Sequence, residues 1–164
     1  MKAIASLGYV GFLRPAPGTW GSAVSVVLAY GVLLVGGFWL LAALTVVAFV
    51  VGWYATAQVT KTGDHDPSWV VIDELVGQWI ALWPVGYGAA FAGADLLALY
   101  PGWIAAFVLF RLFDIRKPWL VGKADRRGDA YGVMMDDVWA GVFAAFGVFV
   151  LAALYHVPLI LNAQ

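Results

Sequence analysis

The chain has 164 residues, 63% of them hydrophobic and 12% charged, with a formal net charge of −1 and no cysteine. A soluble fold of this size has too much surface for its volume to hide so much apolar side chain, so lipid is its natural solvent. The charge leaves no basic field to hold a nucleic acid backbone, and the lack of cysteine removes disulfides, thiolate nucleophiles and zinc–thiolate sites.

In chain order, Lys2 and the apolar residues after it have the outline of a secretion signal. Arg14 interrupts that outline and no small-x-small site follows, so no cleaved leader is expected. Pro17-Gly18-Thr19-Trp20-Gly21-Ser22 comes next. Read alone it is a turn and helix N-cap; its glycines and hydroxyls also suit the binding of an anion at a helix N-terminus. No charge occurs between Arg14 and Lys61. Gly36-Gly37 reads as a tight turn that divides this run into helices over about 19–35 and 38–59. Each is near the roughly 17–25 residues of a membrane span.

A polar-headed apolar segment covers about 69–92, with Asp73, Glu74 and Gln78 near its start and Pro84 within it. It is expected to span or to lie partly in the interface. A further helix covers about 97–113 and stops before Pro118; a last one runs over about 132–155. The expected fold is therefore all-α, a polytopic membrane helical bundle with four to five membrane segments in a single domain over residues 1–164. Basic residues lie before the first span, after the second, and in the loop holding Arg116, Lys117, Lys123, Arg126 and Arg127. All of these fall on the cytoplasmic side if the chain crosses five times, with the N-terminus inside. Nothing in the sequence sets an oligomeric state.

Asp73, Glu74, Asp114, Asp136 and Asp137 lie within or beside apolar helical segments. Carboxylates at such depth usually face a cavity or a partner and mark function. In the five-span arrangement all five fall at the cytoplasmic helix ends, with Asp125 in the loop on the same side. Glu74 and Gln78 are four apart and share a helix face, and Gly141 allows a neighbour to approach the last helix closely. Clustered carboxylates with only two histidines, His65 and His156, suit a hard cation such as Mg2+. Asp64, His65 and Asp66 read instead as a solvated loop, and His156 as lying near the far interface. Asp114 alone could equally be an ion-pair partner of Arg111 or Lys117.

At these residues the chain resembles the phosphatidylglycerophosphatase A family of bacteria. The resemblance rests on Pro17–Ser22, on Val71-Ile72-Asp73-Glu74-Leu75-Val76-Gly77-Gln78-Trp79, and on Phe110-Arg111-Leu112-Phe113-Asp114-Ile115-Arg116-Lys117-Pro118. It continues through Asp125-Arg126 and Gly132-Val133-Met134-Met135-Asp136-Asp137, in the family order. The chain departs from the family pattern at Leu120 and in the polar stretch 127–131. The resemblance implies a magnesium-dependent phosphatase of the bacterial inner membrane, its site facing the cytoplasm. It would convert phosphatidylglycerophosphate to phosphatidylglycerol and inorganic phosphate in phospholipid biosynthesis.

On this reading Asp73, Glu74, Asp136 and Asp137 hold the metal, and Arg111, Lys117 and Arg126 carry phosphate charge. Thr19 and Ser22 join Arg111 and Arg126 in binding substrate. Catalysis falls to Asp114, Lys117 and Asp137, with Asp114 as general base or as a nucleophile forming an aspartyl-phosphate. A small transporter or channel is the main alternative, since buried acids also line ion paths. The outer half offers such a path only Asp95 and His156. A lipid phosphotransferase is disfavoured because its spaced-aspartate signature is missing. A non-enzymatic assembly subunit would show no turnover.

Overall fold

The computed structural model describes residues 1–61 and 67–162, with side chains described to residue 155. Asp64, His65 and Asp66 lie outside the described residues, as does the side chain of His156. Among the described residues every regular element is helical. The elements are α1 (Lys2–Ala5), a 3-10 turn at Val10–Phe12, α2 (Pro17–Val59), α3 (Ile72–Ala92), a second 3-10 turn at Leu97–Leu99, α4 (Tyr100–Arg116), α5 (Leu120–Asp125) and α6 (Ala130–Asn162).

The expected turn in the long apolar run appears as a break at Gly37, whose φ of 64° and ψ of −161° interrupt α2. Only glycine adopts that backbone region readily. The break makes two arms that run in opposite directions along α3. On the first arm, Ser25 accepts a hydrogen bond from the Trp79 indole at 2.8 Å, and Leu33 meets Gly86 further along. On the second arm the order reverses: Thr45 faces Trp83, and Gly52 packs on Ile72.

Helix α3 is the centre of the bundle. Every residue from 70 to 82 is buried, so this stretch is enclosed on all sides. Gly77 admits Phe110 of α4, and Gly141 of α6 sits directly on the Gly77 backbone. A Cβ at Gly141 would lie 3.1 Å from the Gly77 Cα. Paired glycines let two helix backbones approach where lipid supplies little hydrophobic drive. Contacts of Gly77 with Phe110, and of Gly102 with Val85, run α4 antiparallel to α3; Gly77 with Asp137 and Gly141 sets α6 beside the same turns.

Among the described residues three helices are long and apolar enough to cross a membrane: Pro17–Val59, which is the broken α2, then Leu97–Arg116 and Ala130–Tyr155. α3 is outside this set because its first turns are polar. The outer helices present Val27, Leu34, Val35, Trp39, Val46, Phe146 and Phe149 outward. Such outward apolar faces are suited to acyl chains. Two buried hydroxyls on α2 are satisfied locally: Ser25 donates to Gly21 O at 2.7 Å and Thr45 to Leu41 O at 2.7 Å. The starts of α2, α3 and α6 and the end of α4 gather at one end of the bundle. All nine lysines and arginines lie at that end.

Candidate active site

Three helix ends deliver most of the polar side chains. Asp73 and Glu74 occupy the first turn of α3, Arg111 and Asp114 the last turns of α4, and Asp136 and Asp137 the second turn of α6. Carboxyl oxygens of Glu74, Asp114 and Asp137 lie within 4.8 Å of one another. Glu74 and Asp137 are buried, while Asp114 is partly open.

Arg111 clasps this cluster. Its Nη1 lies 2.5 Å and 2.6 Å from the two oxygens of Glu74 and 2.7 Å from Asp114 Oδ2. One guanidinium nitrogen thus serves three carboxylate oxygens, and Arg111 Nε is buried without a partner among the described residues. Ser22 Oγ, 2.6 Å from Glu74 Oε2 and 3.0 Å from Gly18 O, has one proton to give to either. The Pro17–Ser22 stretch is therefore already helical and faces the cluster through Ser22. Gly18 is tight against it: a Cβ there would collide with Glu74 Oε1 and stand 3.2 Å from Arg111 Nη1. Thr19 is exposed on the other side of that turn.

A second group surrounds Lys117. Pro118 disfavours a right-handed helical conformation for the residue before it, and Lys117 takes a left-handed one, with φ of 45° and ψ of 53°. Its ammonium reaches Asp125 at the end of α5 and Asp136 Oδ2 at 3.0 Å. Partial burial works against the lysine charge, but the bonds to Asp125 and Asp136 outweigh it and hold the ammonium above the ordinary lysine range. Nearby and fully outside the helical core, Arg127 holds the Asp129 carboxyl below its usual value through bonds of 3.2 Å and 2.9 Å.

Glu74, Asp137, Asp114, Arg111 and Ser22 therefore meet. Lys117 and Asp136 sit in the adjoining group. Asp73, whose Oδ1 accepts the Glu74 N–H at 2.9 Å, is buried and is an electrostatic neighbour of Asp137. Arg126 is exposed beside Gly122, and among the described residues it makes no ion pair. The sequence reading did not include Asp125 among the site residues, although its place in the basic loop was a signal. Nor did it include Gln78, one turn below Glu74, whose amide N and O are both buried without a partner among the described residues.

The arrangement can bind a hard cation through three carboxylates and hold anionic oxygens with two clasped cations. Comparisons with known proteins point to phosphatases. Residues 3–152 match the family model described as Phosphatidylglycerophosphatase A. A protein of Haemophilus influenzae named phosphatidylglycerophosphatase A is 36% identical over 144 residues, covering 86% of this chain and 82% of that one. A protein of Escherichia coli with the same name is 34% identical over 159 residues, covering 94% and 84%. A Bacteroides thetaiotaomicron protein named "Putative phosphatidylinositol-3-phosphatase" is 39% identical over 138 residues, covering 82% of each chain. No solved structure matches the chain. With a family match over nearly all its length and named relatives above 30% identity, this chain belongs to the phosphatidylglycerophosphatase A family of phosphatases.

Proposed function

We propose that the chain hydrolyses phosphatidylglycerophosphate to phosphatidylglycerol and inorganic phosphate, with Mg2+ as cofactor. The observation that carries this reading is the meeting of Glu74, Asp114 and Asp137 beside Arg111 at one end of an apolar bundle. Three carboxylates with no sulfur or imidazole donor among them fit a hard divalent cation. When bound, such an ion offsets phosphoryl charge and lowers the pKa of a water.

The chain's own groups supply the rest. Glu74 and Asp137 are the deep ligands, with Asp73 as their buried acidic neighbour. Arg111 already shares Nη1 among carboxylates, so its Nε edge is the part suited to a phosphoryl oxygen. Lys117 adds a second positive charge, steadied by Asp125 and by Asp136, which completes the acidic set. Asp114, the cluster member partly open to water, accepts the proton of the attacking water. A phosphorylated Asp114 trapped during turnover would replace that step by direct attack of the carboxylate on phosphorus. Thr19 and Arg126 line the approach rather than the cluster.

The placement of all nine basic residues at the site end supports a cytoplasmic site in the bacterial inner membrane. The opposed arms of α2 with α3, α4 and α6 support five crossings. The buried acids gather at one end, which disfavours an ion path across the bilayer. Purified protein in detergent is expected to release phosphate from phosphatidylglycerophosphate, to stop in EDTA and to resume with Mg2+. Asp137→Asn is expected to lower kcat at least about 100-fold. Undiminished turnover in EDTA after exhaustive dialysis would remove the metal from this reading, and no turnover by the folded parent chain would remove the reaction.

A further inference from the structure

Outside the acidic cluster, α5 and the first turns of α6 line an open hollow of about 320 Å³, within the range of small-molecule sites. Its walls are of two kinds. Lys123 and Arg127 bring cations, and Leu120, Tyr131, Met135 and Trp139 bring apolar and aromatic surface. Helical register sorts them: Tyr131, Met135 and Trp139 are four apart and form one stripe along α6. Lys123 and Arg127 stand on the α5 side. Arg127 is fixed in place by Asp129 and by the Tyr131 ring, 5.1 Å from its guanidinium carbon. Lys123 is exposed and has no ion-pair partner among the described residues.

The hollow adjoins the catalytic groups. Asp125, at the end of α5, binds Lys117, and Asp136 directly follows Met135. Successive residues of α6 thus point into the hollow, toward Lys117, and toward Glu74 and Asp114. At the rim, Trp119 is 85% exposed and Leu120 is exposed beside it, an apolar pair suited to the lipid–water boundary. A water-soluble phosphate would leave the apolar stripe unused, and an uncharged apolar ligand would meet two cations. An anionic amphiphile satisfies both walls.

Resting on the phosphatase reading above, we propose that this hollow holds the phosphodiester and glycerol backbone of the substrate lipid, with Lys123 and Arg127 at the diester oxygens and an acyl chain starting along Met135 and Trp139. The headgroup of phosphatidylglycerophosphate joins its two phosphates by a three-carbon link. A diester in the hollow therefore leaves the terminal monoester free to reach the adjoining acidic cluster. The two walls then explain how a lipid is told from a soluble phosphate.

The two products separate the two subsites, because phosphatidylglycerol carries the diester alone and inorganic phosphate resembles the monoester alone. Inhibition by each is measured for the parent chain, Lys123→Ala and Lys123→Arg during turnover of phosphatidylglycerophosphate in detergent. Lys123→Ala is expected to weaken inhibition by phosphatidylglycerol about fivefold, leave inhibition by inorganic phosphate as it was, and be rescued by Lys123→Arg. Unchanged inhibition by both products overturns the proposal. So does a parallel loss of both, which marks general distortion of the site. Stimulation by added phosphatidylglycerol that Lys123→Ala removes also overturns it, since the hollow then holds a separate lipid. Absence of turnover by the parent chain sinks the function itself, whereas parent turnover with inhibition unmoved by Lys123→Ala sinks the hollow alone.

Discussion

Consecutive residues on a helix diverge by about 100°, and that divergence divides the labour of the acidic pair on α6. Asp137 turns toward Glu74 and Asp114, while Asp136 turns toward Lys117. The sequence made both residues conspicuous, because carboxylates in an apolar segment are rare, but adjacency alone says nothing of which neighbour each will meet. The same holds for Asp114: its spacing from Arg111 suggested an ion pair, which is present at 2.7 Å, yet its membership of the carboxylate cluster depends on the rotation of α4. Gly18 gives this scale its sharpest test. The space for a Cβ there is already filled by Glu74 Oε1 and Arg111 Nη1, so Gly18→Ala has to displace the clasp. Its kcat is expected to fall about 10- to 100-fold, because small misplacements of catalytic groups are costly. Steady-state kinetics beside a thermal melt in detergent check this, and the melt is expected to move little.

Among the elements, contact between α3 and α6 decides whether the carboxylates meet. Gly141 lies against backbone of Gly77, whereas Gly147 lies against a side-chain tip, with its added Cβ 2.8 Å from Leu109 Cδ1. A leucine tip can swing aside and a backbone cannot. Gly141→Ala is therefore expected to destabilise the protein by about 1–3 kcal/mol and to abolish most activity, while Gly147→Ala costs less than about 1 kcal/mol. Thermal unfolding of both variants in one detergent makes the comparison, and equal losses would refute the backbone argument. The long helices were legible from apolar runs, and the division of α2 from Gly36-Gly37. The short helices α1 and α5 were not, since a few residues carry no usable period and their helicity comes from packing at the site end. Gly141 was recognisable as a point of close approach, but its partner Gly77 emerges only from the crossing of the two helices.

For the whole molecule, the distribution of charge and the course of the chain point the same way. Basic residues occupy one end, and the Gly37 break, Asp95 and the far ends of the helices occupy the other. The chain has no cysteine, so single introduced thiols report sidedness without background. In intact cells Asp95→Cys is expected to react with a membrane-impermeant maleimide, and Arg14→Cys only after lysis. The opposite pattern would turn the site outward. The apolar excess made a membrane bundle legible from composition, but not that the most polar-headed segment is its centre. Enclosure within the other helices is what permits Asp73, Glu74 and Gln78 to start α3. That enclosure bears on biogenesis. Two of the walls around α3 are made before it, as the arms of α2, and two after it, as α4 and α6. During synthesis α3 emerges with its carboxylates uncovered and part of its surround not yet translated. The insertion machinery, rather than the bilayer, would have to shelter it until α4 and α6 arrive, and a chain stalled before Ala130 would be marked for membrane quality control by the same acids that serve the finished enzyme.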